Sequence, residues 1–163
     1  MIRFSFKWVL GLLALMPLEI YAQAIKPLTH QCLVEAAAEY DVHPDVLMAI
    51  LIVEGGTVGQ NSKSNDNGSY DIGLFQINSI HLSRLKGFGV SEEQLRNDGC
   101  LNARVAAWHL SSVVTNATLA NIKDEKSYLS AIAQYHSVTP KYNAIYATRL
   151  KNAFSYLYAD EGN

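Results

Sequence analysis

The sequence predicts a mainly α-helical single domain in which any sheet is confined to residues 57–77. Three observations carry this expectation. The chain has 163 residues, enough for one hydrophobic core and too short for two domains. Hydrophobic residues make up 49% and charged residues 17%, which excludes a disordered chain and a charged coiled coil. Apolar residues recur at helical spacing in segment after segment, and no convincing run of alternating strands occurs.

The start of the chain stands apart. Arg3 and Lys7 precede the uncharged apolar run Trp8 to Met16, Pro17 breaks it, and Ala22 and Ala24 flank Gln23. This is the pattern of a secretory signal peptide cleaved after Ala22 or Ala24. The alternative, a membrane anchor, needs about twenty apolar residues. Residues 1–22 are therefore expected to be a signal peptide. Residues 23–163 are expected to be one functional domain, periplasmic or secreted, that does not span a membrane. Export gives meaning to the two cysteines, Cys32 and Cys100. An even count in an oxidising compartment suggests one disulfide, two buried free thiols being the alternative.

The helices follow in order. Leu33, Ala36, Ala37 and Tyr40 space a first helix over 32–40. Pro44, a good first-turn residue, opens a second that runs to Glu54, where Gly55-Gly56 stops it. Residues 59–71 are rich in Asn, Ser and Gly and read as a loop or hairpin. The short run 72–77 follows, then a helical turn through His81 and Leu85. Ser91 to Gln94 reads as a capping box for a short helix. Asn97-Asp98-Gly99 is a turn. Leu101, Val105, Trp108 and Leu110 space a helix over 100–114, and residues 128–135 a short apolar one. Thr139-Pro140 begins a last helix whose stripe reads Tyr142, Ile145, Tyr146, Arg149, Ala153 and Leu157.

Several function classes are excluded. The net charge is -2 and no basic run occurs, which argues against a nucleic-acid partner. The five histidines show no short paired spacing with each other or with cysteine, so no metal site is expected. Placing Gly68 at the sixth position of a calcium loop would put Lys63 and Leu74 where carboxylates belong. A nucleophile elbow, a Walker loop and a dinucleotide fingerprint are absent.

Three polar spots remain. Leu47, Ile50 and Leu51 share the face of Glu54, so a carboxylate stands where that stripe wants another Leu. It also ends its helix, at the negative pole of the dipole. Apolar walls and the dipole both raise its pKa, as a general acid for a glycosidic oxygen requires. The plain alternative is a solvated, idle helix-end Glu. Gln76 and Asn78 are amides beside apolar Leu74 and Ile77. They suit sugar hydroxyls and N-acetyl groups, or merely leave a hairpin. Tyr135 and His136 end an apolar helix; His136 is a second acid or base, or an ordinary surface histidine.

The order of these spots resembles a known pattern. Leu47-Met48-Ala49-Ile50 leads to Glu54-Gly55-Gly56. Gly73-Leu74-Phe75-Gln76-Ile77-Asn78 follows, then Tyr135-His136-Ser137 with Thr139-Pro140. This resembles the catalytic domain of the lytic transglycosylases, the soluble-transglycosylase branch of the lysozyme superfamily. It is most similar to the small members that accompany type III and type IV secretion systems, conjugation machines and pili. The family pattern has Ser at the position of Gly55, Met at that of Phe75, and Ala-Tyr-Asn at that of Gln134-Tyr135-His136. The resemblance implies a lysozyme-like fold and no cofactor or metal. It implies Glu54 as the catalytic residue, with Gly73, Phe75, Gln76, Asn78, Tyr135 and His136 on the substrate, and a hydrogen bond from Tyr135 to Glu54. It also implies a monomer acting on peptidoglycan glycan strands beside a secretion, conjugation or pilus apparatus. The reaction would cleave the β-1,4 bond between N-acetylmuramic acid and N-acetylglucosamine and leave a 1,6-anhydro product. A hydrolytic muramidase using Asp66 or Asp71, and a non-catalytic peptidoglycan-binding subunit favoured by Gly55, are the alternatives.

Overall fold

A computed structural model describes residues 24–159, so the expected signal peptide at 1–22 lies outside the described residues. Helix α1 (His30–Glu39) starts where Thr29 Oγ1 accepts from the Cys32 backbone N–H at 3.2 Å. Helix α2 (Pro44–Glu54) has proline in its first turn and ends at Gly55, which adopts the left-handed conformation (φ 59°, ψ 25°). The polar stretch is a loop that closes into a two-stranded antiparallel hairpin, β1 (Asp71–Ile72) and β2 (Ile77–Asn78), in the register Asp71–Asn78 and Ile72–Ile77. A single 3₁₀ turn leads into α3 (Leu82–Gly87). Helix α4 (Glu92–Asn97) opens on the expected capping box: Ser91 and Gln94 satisfy each other's backbone N–H. Helix α5 (Gly99–Val113) follows after a single residue, Asp98, whose side chain caps it. Then come α6 (Asn116–Ala120), α7 (Glu125–Ile132) and α8 (Pro140–Leu157).

The mainly helical, lysozyme-like architecture with one small hairpin matches the expectation. Helix α2 lies at its centre. It packs against α8 and α1, α1 packs against α5, and α7 packs against α8. Leu47, Ala49 and Ile50 of α2 are fully buried, together with Leu33, Phe75, Leu95 and Leu150. Cys32 and Cys100 are bonded, tying α1 to the start of α5 across 68 positions of chain. In the loop-entropy account a closure of that length contributes about 4 kcal/mol. Among the described residues no helix is long and apolar enough to cross a membrane.

One helix carries no sequence signal, and one local reading needs correction. Residues 116–120 form a helix that no apolar periodicity announces; Thr115 caps it by accepting from Thr118 N. The buried face of α8 is Asn143, Tyr146, Leu150 and Ala153, while Tyr142, Ile145 and Arg149 are exposed. The stripe slips because a polar residue holds a core position. The Asn143 amide donates to the carbonyls of Ser130 and Ser137 and accepts from Ser130 Oγ, so its burial leaves nothing unpaired.

Candidate functional site

The end of α2, the hairpin and the α7–α8 connection meet around a cleft of about 490 Å³. Glu54, Asp71, Gln76, Asn78, Tyr135 and His136 line it, together with His81, His109 and Gln134.

Glu54 reaches this cleft because α2 stops there. Gly55 N–H closes the last turn on Leu51 O at 2.9 Å, and its left-handed conformation is one that Ser would adopt only with strain. The next glycine is a packing requirement. A Cβ at Gly56 would collide with Gly73 O and stand 2.6 Å from Gln76 Nε2 and 2.7 Å from Leu74 O. Gly56 N–H instead donates to Leu74 O at 3.1 Å, which brings the helix end against the hairpin turn.

That turn is anchored from below. Asn102 of α5 is almost fully buried; its amide donates to Ile72 O and Leu95 O, each at 3.0 Å, and its oxygen accepts from Phe75 N–H at 2.8 Å. Gln76 is held at φ 49°, unusual for a residue with a Cβ, and its amide donates to Gly73 O at 2.7 Å. A side chain pinned at a cleft wall by a strained backbone fits a positioning role. Asn78 donates to Asp71 Oδ1 at 2.7 Å, which fixes that carboxylate at the edge of the cleft.

Electrostatics single out Glu54. Its pKa is pushed up to about 7, foremost by burial and further by the Asp71 charge. A hydrogen bond from Tyr146 and the Arg149 charge pull the other way. Tyr146 Oη donates to Glu54 Oε1 at 2.6 Å, and the ring of His136 lies parallel to the Tyr146 ring at 4.9 Å. Burial, with the Arg149 charge, holds His136 below the ordinary histidine range. The rings of His81 and His109 lie 4.7 Å apart with their planes tilted by 52°, and burial lowers the pKa of both. His109 Nε2 donates to Tyr135 O at 3.1 Å, which places its proton on that nitrogen.

The structure brings Glu54, Gln76, Asn78, Tyr135 and His136 together on one cleft and leaves two expected substrate residues out of it. Phe75 is fully buried, and its side chain supports the turn from the core side. Gly73 is not on the cleft wall; its carbonyl accepts from Gln76, and a Cβ there would stand 2.5 Å from Asn102 Nδ2. The implied hydrogen bond from Tyr135 to Glu54 is also corrected. Tyr135 is buried beneath the turn and donates to Phe75 O at 2.8 Å, while the tyrosine on Glu54 is Tyr146 of α8. Sequence reasoning placed Tyr146 only on a helix stripe. The available signal was chemical: a buried tyrosine hydroxyl needs an acceptor, and a carboxyl at the end of an apolar helix face is one. Asn102 and His109 carried no such signal, because an Asn or His within a helix is ordinary.

The sequence profile of the family described as Transglycosylase SLT domain matches residues 31–144. Among curated relatives, Invasion protein IagB of Salmonella typhimurium strain SL1344 is 35% identical over 99 residues, 58% of this chain and 59% of that protein. Protein IpgF of Shigella flexneri is 38% identical over 76 residues, 47% of this chain and 50% of that protein. A protein of Escherichia coli O157:H7 named Peptidoglycan-binding-like protein is 35% identical over 81 residues, 45% of this chain and 48% of that protein. The chain thus spans about half to three fifths of the length of these relatives.

Proposed function

The chain belongs to the SLT transglycosylase family, and on that premise we propose that it is a peptidoglycan lytic transglycosylase with Glu54 as its acid and base. The observation that carries this is a carboxyl held half-buried in a cleft with its pKa raised to about 7. Such a group is protonated in a useful fraction of molecules near neutral pH. Tyr146 occupies Oε1, so Oε2 carries the proton toward the glycosidic oxygen.

Glu54 protonates the leaving oxygen between N-acetylmuramic acid and N-acetylglucosamine. The substrate's own N-acetyl group stabilises the oxocarbenium-like centre. The Glu54 carboxylate, kept in place by Tyr146, then takes the proton from the muramoyl 6-hydroxyl, and a 1,6-anhydro ring closes. The hydroxyl inside the substrate replaces the second carboxylate that other glycosidases use. Gln76 keeps its amide oxygen and one N–H for sugar hydroxyls, Asn78 acts through the Asp71 carboxylate it holds, and His136, stacked on Tyr146, lines the same cleft.

One observation favours a second reading. Asp71 lines the same cleft, held by Asn78, and a carboxylate there could support an attacking water, which would make the protein a hydrolytic muramidase. The binding-subunit reading rested on Gly55. The left-handed turn at that position gives the glycine a conformational reason, which weakens that reading. We further propose that residues 1–22 direct export, that 23–163 act in the periplasm, and that the protein opens local gaps in the wall for a secretion or pilus apparatus. The disulfide supports an oxidising compartment. Zymography in a peptidoglycan gel tests the enzyme reading: wild type clears the gel and Glu54→Gln does not. A wild type that binds the wall without clearing it would leave the binding-subunit reading in its place.

A further inference from the structure

His136 stands at the cleft without a task in the transfer of the Glu54 proton. The chain makes a 3₁₀ turn at Ala133–Tyr135, and His136 N–H donates to Ala133 O at 3.1 Å. Successive residues of such a turn are about a third of a circle apart. Tyr135 goes into the core, and His136 is left exposed. Its imidazole is nevertheless not free in solvent. It lies flat on the Tyr146 ring, with the planes 1° apart and the centroids 4.9 Å apart. Tyr146 is only 2% exposed, and its hydroxyl holds Glu54 Oε1. From solvent inward the order is imidazole, phenol, carboxyl.

We propose that His136 is a positioning residue that acts through Tyr146: its ring is the cover that keeps water from the Tyr146–Glu54 pair. The inference deepens the reading of Glu54 as the acid and rests on it. Burial is the largest cause that raises Glu54, and it outweighs the Tyr146 hydrogen bond, which pulls the other way. Loss of the cover therefore lowers Glu54. Asp71 of β1, Arg149 of α8 and Tyr135 also face this corner. His136 adds no charge to theirs near pH 7. Burial and Arg149 hold it below the ordinary histidine range, and Asp71 opposes them only in part. It works there as a neutral ring. A histidine meets two demands at once: an exposed place wants polar edge atoms, and the face of Tyr146 wants an aromatic ring. The Asn that the family pattern has at this position would meet only the first.

Two substitutions split the ring from its polar atoms. His136→Asn keeps hydrogen-bonding groups and removes the ring, while His136→Phe keeps a ring and removes those groups. The probe is the carboxyl carbon-13 resonance of Glu54 in glutamate-labelled protein without substrate, assigned by its loss in Glu54→Gln. His136→Asn should lower the Glu54 midpoint by about one pH unit, and His136→Phe should leave it where wild type has it. At pH 7 a fall of that size takes the protonated fraction from about a half to about a tenth. On glycan strands kcat at pH 7 should then drop about fivefold in His136→Asn and recover in acid. A midpoint that His136→Asn leaves in place, or that His136→Phe lowers as far, overturns the proposal. A residue that only touched the sugar would raise KM at every pH in His136→Phe and move no midpoint in His136→Asn. The titration needs no cleavage, which separates the two readings. If no strand is cut and the midpoint still falls in His136→Asn alone, the cover stands and the cleavage reading falls. If wild type cuts and all midpoints agree, the cover falls and the cleavage reading stands.

Discussion

Replacing Glu54 by Gln should make the protein more stable and inactive at once. The carboxyl has an ordinary value of 4.5 and is raised to about 7 by the fold. A carboxylate whose folded pKa is raised opposes folding when it ionises. Native stability is therefore greatest while Glu54 is protonated, below about 4.5, and is lost progressively as pH rises through about 7. The full difference is about 3 kcal/mol. Gln has no proton to lose and still offers an oxygen to the Tyr146 hydroxyl. Urea unfolding at acid pH should find wild type and Glu54→Gln within about 1 kcal/mol of each other. Above pH 8 the variant should lead by about 3 kcal/mol at unchanged m-value, or several degrees in Tm. The histidines titrate alike in both proteins and cancel in the difference. Turnover should fall by a factor of about 10²–10⁴, the loss expected when general-acid help disappears. A stability gap that does not change with pH, or a variant less stable than wild type at pH 8, would refute the reasoning, because Glu54 would then be ionised in the fold without penalty.

Other variants probe the surroundings of the acid. Tyr146→Phe removes the hydrogen bond that favours ionised Glu54, so the basic limb of the pH–activity profile should move to higher pH, and about 1 kcal/mol of stability should be lost; an unmoved limb would separate the hydroxyl from the acid. Asp71→Asn removes the like charge that raises Glu54, so the same limb should move to lower pH, and a static limb would mean that the two carboxylates do not sense each other. Reduction of the Cys32–Cys100 bond should lower stability by about 4 kcal/mol; thiol titration of unreduced, unfolded protein should find no free thiol, and two would contradict the bond.

Much of this arrangement was legible in the residues. Glu54 could be placed on an apolar helix face because α2 obeys simple periodicity from Pro44 to the two glycines, and Ser91 with Gln94 marked α4 by local hydrogen bonding alone. What remained hidden depends on contacts distant in sequence. Tyr146 meets Glu54 across 92 positions, and Asn102 meets the Phe75 turn across 27. Neither pairing leaves a local pattern. The stripe of α8 was misread for a related reason: periodicity counts apolar residues, and Asn143 is buried by its hydrogen bonds rather than by hydrophobicity. The family motif located the turn around Phe75 and Gln76 but not its facing. Phe75 serves the core and Gln76 the cleft, because the positive φ at Gln76 turns the chain between them.

The central claim is that the substrate's own 6-hydroxyl, and not water, captures the cationic centre after Glu54 has given up its proton. Mass spectrometry of the muropeptides released by the wild-type protein reads this directly. The account predicts 1,6-anhydro products, each lighter by one water than the hydrolysis product, from wild type and none from Glu54→Gln. Products with reducing muramic ends would contradict it, make water the nucleophile, and transfer the missing carboxylate role to Asp71.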